Sequence, residues 1–209
     1  ESQLRVWIDD WRAEAATDST GSHTVVAHDE THSLALTLQP TKPLVTHGAA
    51  GISRKGKDIS QASHYYSFTR LATTGSLTID GEQFEVTGLT WMDHEFGSTE
   101  LGTDQVGWDW FSIQLEDDTE LMLYRMRRKD GSSDLASSGT AVSPDGRTRH
   151  LEVTDFQIES TATWTSPDSK ATYPSRWKLT FPSLGLVLDV TPLLADQELR
   201  TSRSTKVSY

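Results

Sequence analysis

Ser76-Leu77-Thr78-Ile79-Asp80-Gly81-Glu82-Gln83-Phe84-Glu85-Val86 reads as a β-hairpin, two extended segments joined at the Asp-Gly turn signal. Close behind it lies Gly88-Leu89-Thr90-Trp91-Met92-Asp93-His94-Glu95-Phe96-Gly97-Ser98, where three ionisable side chains follow an apolar approach and Gly97 releases the chain. Alternate side chains of an extended backbone point to opposite faces. Trp91, Asp93 and Glu95 therefore share one face, and Met92, His94 and Phe96 the other. A second aromatic run, Gly107-Trp108-Asp109-Trp110-Phe111, follows at once. Three of the seven tryptophans fall within residues 91–111, and that concentration points to a pocket.

Outward from this stretch the strand signals continue. In residues 32–38, Leu34, Leu36 and Leu38 alternate onto one face. Residues 106–115 and 120–127 read as strands around a turn at 116–119, with further turns at 129–131 and 144–146. Residues 151–160, 176–181 and 186–190 complete a meander whose short spacing predicts an antiparallel barrel or sandwich. Helical periodicity is almost absent; residues 6–16 could carry one or two helical turns, or equally a strand and a turn. Residues 40–63 lack alternation and read as a long ordered loop, a length that is uncommon without a function. Two strands are apolar on both faces: Trp108 and Trp110 oppose Phe111, Ile113 and Leu115, and Leu121 and Leu123 oppose Met122, Tyr124 and Met126. Burial against another domain or the wall of an apolar ligand cavity would each produce this pattern.

The 209 residues suffice for one large all-β domain or two small ones. A net charge of −11 disfavours nucleic acid and anionic membrane surfaces as partners. Without cysteine there is no disulfide, thiol nucleophile or Cys-ligated zinc. No run approaches the roughly 20 apolar residues of a membrane span. Both ends fall inside strand-like runs and carry no targeting segment, which reads as a chain cut at each end. No Gly-x-Ser-x-Gly elbow, phosphate loop or dinucleotide fingerprint occurs. The seven histidines (23, 28, 32, 47, 64, 94 and 150) are dispersed, so neither a metal site nor a cofactor is expected. What remains is a set of proton-transfer groups among aromatics. Asp93, His94 and Glu95 are the candidate catalytic residues, with Asp93 and His94 as an acid–base pair. Trp91, Phe96, Trp108, Trp110, Tyr65, Tyr66, Tyr124 and Arg70 are the candidate ligand-binding residues. Aromatic faces can stabilise a developing cation or hold a flat apolar ligand.

Residues 91–98, 107–115 and 120–125 resemble the AttH-like group of the carotenoid-hydratase (CrtC) lipocalin-like superfamily. His47-Gly48, Ser53-Arg54-Lys55-Gly56, His64-Tyr65-Tyr66-Ser67, Tyr173-Pro174-Ser175-Arg176-Trp177 and Ala195-Asp196-Gln197-Glu198-Leu199 fit it too. The resemblance implies an all-β fold of two lipocalin-like antiparallel barrels, both incomplete here. Residues 1–100 would be the second half of the first, and 101–209 most of the second. It also implies a periplasmic or secreted location for the intact protein, and many members are called predicted secreted hydrolases. The family's upstream Glu-Trp-Trp-Tyr-type motif and closing Gly-rich region are missing. Phe96 stands where the hydratase branch carries Trp, and Tyr124 is followed by Arg125, Met126 and Arg127 rather than a carboxylate. These departures argue against carotenoid hydration. The expected function is acid–base chemistry, such as hydration, isomerisation or cyclisation, on a hydrophobic small molecule. The alternatives are a non-catalytic carrier of an apolar ligand and an interaction scaffold.

Overall fold

The 76–86 hairpin is formed in the larger sheet, its first strand paired on both sides and its second at the sheet's edge. In the computed structural model, which describes residues 4–17, 21–97 and 101–199, β7 (Ala62–Ile79) pairs antiparallel with β8 (Glu82–Phe96) from Ile79↔Glu82 to His64↔Phe96. Asp80 and Gly81 both take positive φ, 51° and 85°, the turn geometry that matches the twist of the strands it joins. Three segments share the other edge of β7: β4 (His32–Pro40), β5 (Val45–Thr46) and β6 (Ile52–Arg54). Residues 40–63 are thus not one loop but a strand edge broken into pieces too short to show alternation. β3 (His23–His28), β2 (Trp11–Ala15) and β1 (Arg5–Ile8) extend the sheet to eight strands. β1 and β2 form a hairpin through Asp9 (φ 50°), so residues 6–16 adopt the strand-and-turn alternative.

A second sheet holds β9 (Gln105–Gln114), β10 (Glu120–Arg128), β11 (Ser138–Val142) and β12 (Thr148–Glu152). β10 is buried on both faces, as its two-sided apolar sequence predicts. On one of them Met122, Tyr124 and Met126 join Tyr65 of β7 in a buried cluster, against which Trp91 packs. Each such side chain, when fully buried, contributes roughly 1.5–3 kcal/mol. β9 departs from the expectation of two-sided burial: Trp108 and Trp110 are 49 % and 40 % exposed.

A β-bulge in β7 between Phe68 and Leu71 turns both Thr69 and Arg70 toward Glu120 of β10. Glu120 is fully buried, with Arg70 Nε at 2.5 Å from Oε1 and Lys42 Nζ at 2.8 Å from Oε2. Arg70 also donates to the Leu115 carbonyl and pairs with Asp118. Its guanidinium ties the two sheets together instead of facing a ligand, because the bulge rotates it into this ion cluster.

The chain divides into two compact units, residues 1–150 and 151–209. In the second, β13 (Gln157–Thr165), β14 (Thr172–Phe181) and β15 (Leu186–Val190) form a three-stranded antiparallel sheet around buried Leu179 and Phe181. Residues 151–160 are not one strand: the backbone turns at Glu152–Asp155 before β13 begins. Among the described residues there is no α-helix, only a 3-10 turn at Pro182–Leu184 closed by Gly185 in the left-handed region. The fold is all-β and lipocalin-like, as expected. The strand-like run at 205–209 lies outside the described residues.

Candidate active site

Alternation along β8 governs the geometry of the motif. Trp91, Asp93 and Glu95 face the second sheet and Met92 and His94 face away from it, while Phe96, the last residue of the strand, also borders the cavity between the sheets. Asp93 accepts hydrogen bonds from Ser67 Oγ and, at 2.8 Å, from Trp91 Nε1. Half-buried His94 meets Tyr66 instead, its Nδ1 2.6 Å from the phenol oxygen, with Phe96 against its ring. Burial raises the Tyr66 pKa, so its hydroxyl stays protonated and available to His94. Neighbours in the chain, Asp93 and His94 are therefore not partners in space, and the pair expected from the sequence is divided between two faces of one strand.

On the Asp93 side a cavity of about 340 Å³ opens between the two sheets. Trp108, Trp110, Tyr124, Met126 and Phe96 supply its apolar lining, and Lys55, Ser63 and Glu95 its polar groups. Lys55 Nζ lies 2.8 Å from Glu95 Oε1 and 3.8 Å from the centre of the Tyr124 ring, with the Tyr65 ring at 5.2 Å. Ser63 Oγ also donates to Glu95. An ammonium over a desolvated aromatic face gains up to about 2 kcal/mol. The Tyr124 hydroxyl is turned out of the cavity, donating to the Arg54 carbonyl at 2.9 Å and accepting from Ser138 Oγ at 2.8 Å. Tyr65 stands behind the wall, accepting from Trp110 Nε1 at 3.1 Å. Burial first, and the Asp93 charge second, push its phenol pKa upward, so it remains a hydroxyl.

The expected ligand residues thus fall into three groups. Phe96, Trp108, Trp110 and Tyr124 line the cavity, Tyr65 and Trp91 support it, and Tyr66 and Arg70 do not line it. Lys55 was not among the candidates. Its only mark in the sequence is its place in Ser53-Arg54-Lys55-Gly56, because a lone lysine in an irregular segment has no periodicity to betray it.

Behind Asp93 is a buried polar chain that sequence reasoning also missed. Ser67 Oγ lies 2.8 Å from His47 Nε2, and His47 Nδ1 lies 2.9 Å from Thr140 Oγ1 of β11. His47 is 1 % exposed and Ser67 fully buried. Serine, histidine and aspartate are all present, yet in a hydrolytic triad the imidazole stands between the other two. Here the serine does, and no substrate can reach it, so this chain of bonds is not a hydrolase triad.

Burial, and then the charges of Lys55 and His150, push the His47 pKa down from 6.5 to about 4. The unfolded chain therefore takes up this proton first. The contribution to stability is complete above the unfolded value of 6.5 and is lost as pH falls toward 4. The shift corresponds to ~3 kcal/mol. Urea unfolding near neutral pH and near pH 4 is expected to show a correspondingly smaller acid-induced loss in His47→Gln than in the wild type. Equal losses in the two proteins would remove His47 as their source.

In the second unit the 173–177 and 195–199 motifs meet around a separate apolar recess of about 370 Å³. There Glu198 accepts hydrogen bonds from Ser166, Ser169 and Tyr173.

The described residues thus form an all-β, lipocalin-like chain with an aromatic cavity bordered by an ammonium–carboxylate pair. The chain belongs to the AttH-like family, whose model matches residues 1–209. A crystal structure of a Nitrosomonas europaea protein assigned as AttH superposes with a TM-score of 0.88 at 33% identity, over 98% of this chain and 62% of that one. Kievitone hydratase of Fusarium solani subsp. phaseoli is 20% identical over 196 residues, covering 92% of this chain and 54% of that protein. The crystal structure of kievitone hydratase from Nectria haematococca shares the fold, with a TM-score of 0.75 at 20% identity over 95% of this chain and 60% of that one. The chain thus spans little more than half the length of these relatives.

Proposed function

We propose that the protein acts on a hydrophobic small molecule by acid–base chemistry of the hydratase kind, adding water to a carbon–carbon double bond or removing it. The observation that carries this reading is the Lys55–Glu95 pair set among Trp108, Trp110 and Tyr124 in one cavity. In the hydration direction a general acid gives its proton to one alkene carbon, and intact water bonds through oxygen to the other. One proton of that bound water passes to a base, so that the acid's proton is replaced overall. Glu95 is the carboxylate placed to accept the water's proton, with Lys55 compensating its charge, and the aromatic faces stabilise the developing cation. Asp93, exposed on the cavity-side face of β8, and His94 on the opposite face are each a further acid–base candidate. The likeness to a named hydratase supports the reaction class.

A carrier of an apolar ligand remains the second reading, favoured by one observation: Glu95 is already satisfied by Lys55 and Ser63, as a purely binding cavity also permits. The division into barrels at 1–100 and 101–209 and a periplasmic or secreted location are further proposals resting on the family resemblance. No helix among the described residues is long and apolar enough to cross a membrane. Incubating the intact protein with lipophilic extracts in water enriched in heavy oxygen tests the reaction. Mass spectrometry is expected to find a compound that gains one labelled water. Retention of an unchanged compound would establish the carrier instead.

A further inference from the structure

We propose that His47 and Ser67 are positioning residues that hold the Asp93 carboxylate in one orientation beside the cavity. The inference rests on the reading of Asp93 as part of that site.

An ionised carboxylate can only accept, so the single Ser67 proton must point at Asp93. The Ser67 oxygen then has only lone pairs left for His47, and the proton of this neutral imidazole must sit on Nε2. His47 Nδ1 becomes the acceptor and takes the Thr140 hydroxyl proton. Every member of the chain has one permitted role, and reversing any of them would leave a buried group unpaired, at a cost of about 1–3 kcal/mol.

The far end of the chain is anchored on both sheets. Thr140 belongs to the second sheet, whereas His47 is fixed to the first by its amide, which donates to the Tyr65 carbonyl at 3.0 Å. The turn behind it admits no other path: Gly48 has φ 69°, and a Cβ there would lie 2.1 Å from the Ile52 carbonyl oxygen. At the near end the Ser67 and Trp91 donors converge on Asp93 Oδ1. The Tyr65 hydroxyl is a third hydrogen-bond partner of the same carboxylate. His47 reaches Asp93 through Ser67, packs its ring on that of Tyr65 at 4.3 Å between centroids, and does not line the cavity.

The Trp91 indole N–H reports on Asp93 without any substrate, so its signal tests the positioning role even if the protein proves to be a carrier. In nitrogen-15-labelled protein the indole signal, assigned through Trp91→Phe, is expected downfield in the wild type, and the His47 ring is expected to carry its proton on Nε2. In Ser67→Ala the carboxylate loses the donor that links it to His47, and the indole proton should move upfield toward the position of a water-bonded indole. His47→Leu should produce the same shift. His47→Gln, whose amide can still donate to Ser67, should largely restore the wild-type position. An indole signal unmoved in Ser67→Ala, or a wild-type imidazole protonated on Nδ1, overturns the proposal. So does a His47→Leu variant that folds and keeps the wild-type signal, for then the imidazole only fills space. Should His47→Leu not fold, Ser67→Ala and His47→Gln decide the matter by the same signal.

Discussion

Glu95→Gln is expected to lower turnover of the hydrophobic substrate by about two to four orders of magnitude, the usual contribution of a positioned acid or base. The substitution preserves volume and one hydrogen-bond acceptor for Ser63 and Lys55, so the cavity should keep its shape and its affinity for a non-reacting analogue. What it removes is the basicity of the carboxylate. Lys55 is left without its counter-charge, but the Tyr124 ring still faces it at 3.8 Å. The matching control is His94→Gln, which leaves the cavity side of β8 untouched. If His94→Gln reduces turnover by this amount and Glu95→Gln does not, the chemistry lies on the Tyr66 face. Steady-state rates and binding of the analogue for both variants decide between the two faces of one strand.

The largest stability effect is expected at Glu120, far from the motif that draws attention in the sequence. Glu120→Ala would leave Lys42 and Arg70, whose side chains are 6% and 9% exposed, without their buried counter-charge, Arg70 keeping only the more exposed Asp118. Breaking a buried ion cluster by removing one partner costs about 3–5 kcal/mol, because the remaining charges have lost both water and counter-charge. Urea unfolding of the intact chain should register that loss in the midpoint. Replacing Glu120, Arg70 and Lys42 together by apolar residues of similar size should recover most of it. A loss below about 1 kcal/mol for Glu120→Ala would mean that water reaches the cluster and that these ions behave as a surface pair.

The two-residue period of residues 76–96 is a local property, and it was legible without any structure. It carries the hairpin, the turn at Asp80-Gly81 and the opposite placement of Asp93 and His94. The same alternation already contradicted their reading as a pair, since successive residues of a strand cannot meet. Residues 40–63 were opaque for the opposite reason. β5 and β6 are two and three residues long, too short for a period, and they exist only because the edge of β7 offers them hydrogen bonds. Arg70 misled because a bulge, invisible as a pattern of residue types, rotates it toward Glu120.

The all-β class, the 76–86 hairpin, the aromatic content of the site and the opposite faces taken by Asp93 and His94 were legible in the residues alone. These follow from backbone geometry and turn chemistry acting over a few residues. Only the tertiary structure decided which groups meet. Lys55 reaches Glu95, His47 reaches Ser67 and Thr140, and Arg70 reaches Glu120 across separations set by strand register and by the packing of one sheet on another. Such contacts leave no periodic trace, because a single polar side chain is selected by what lies opposite it in space and not by its neighbours in the chain.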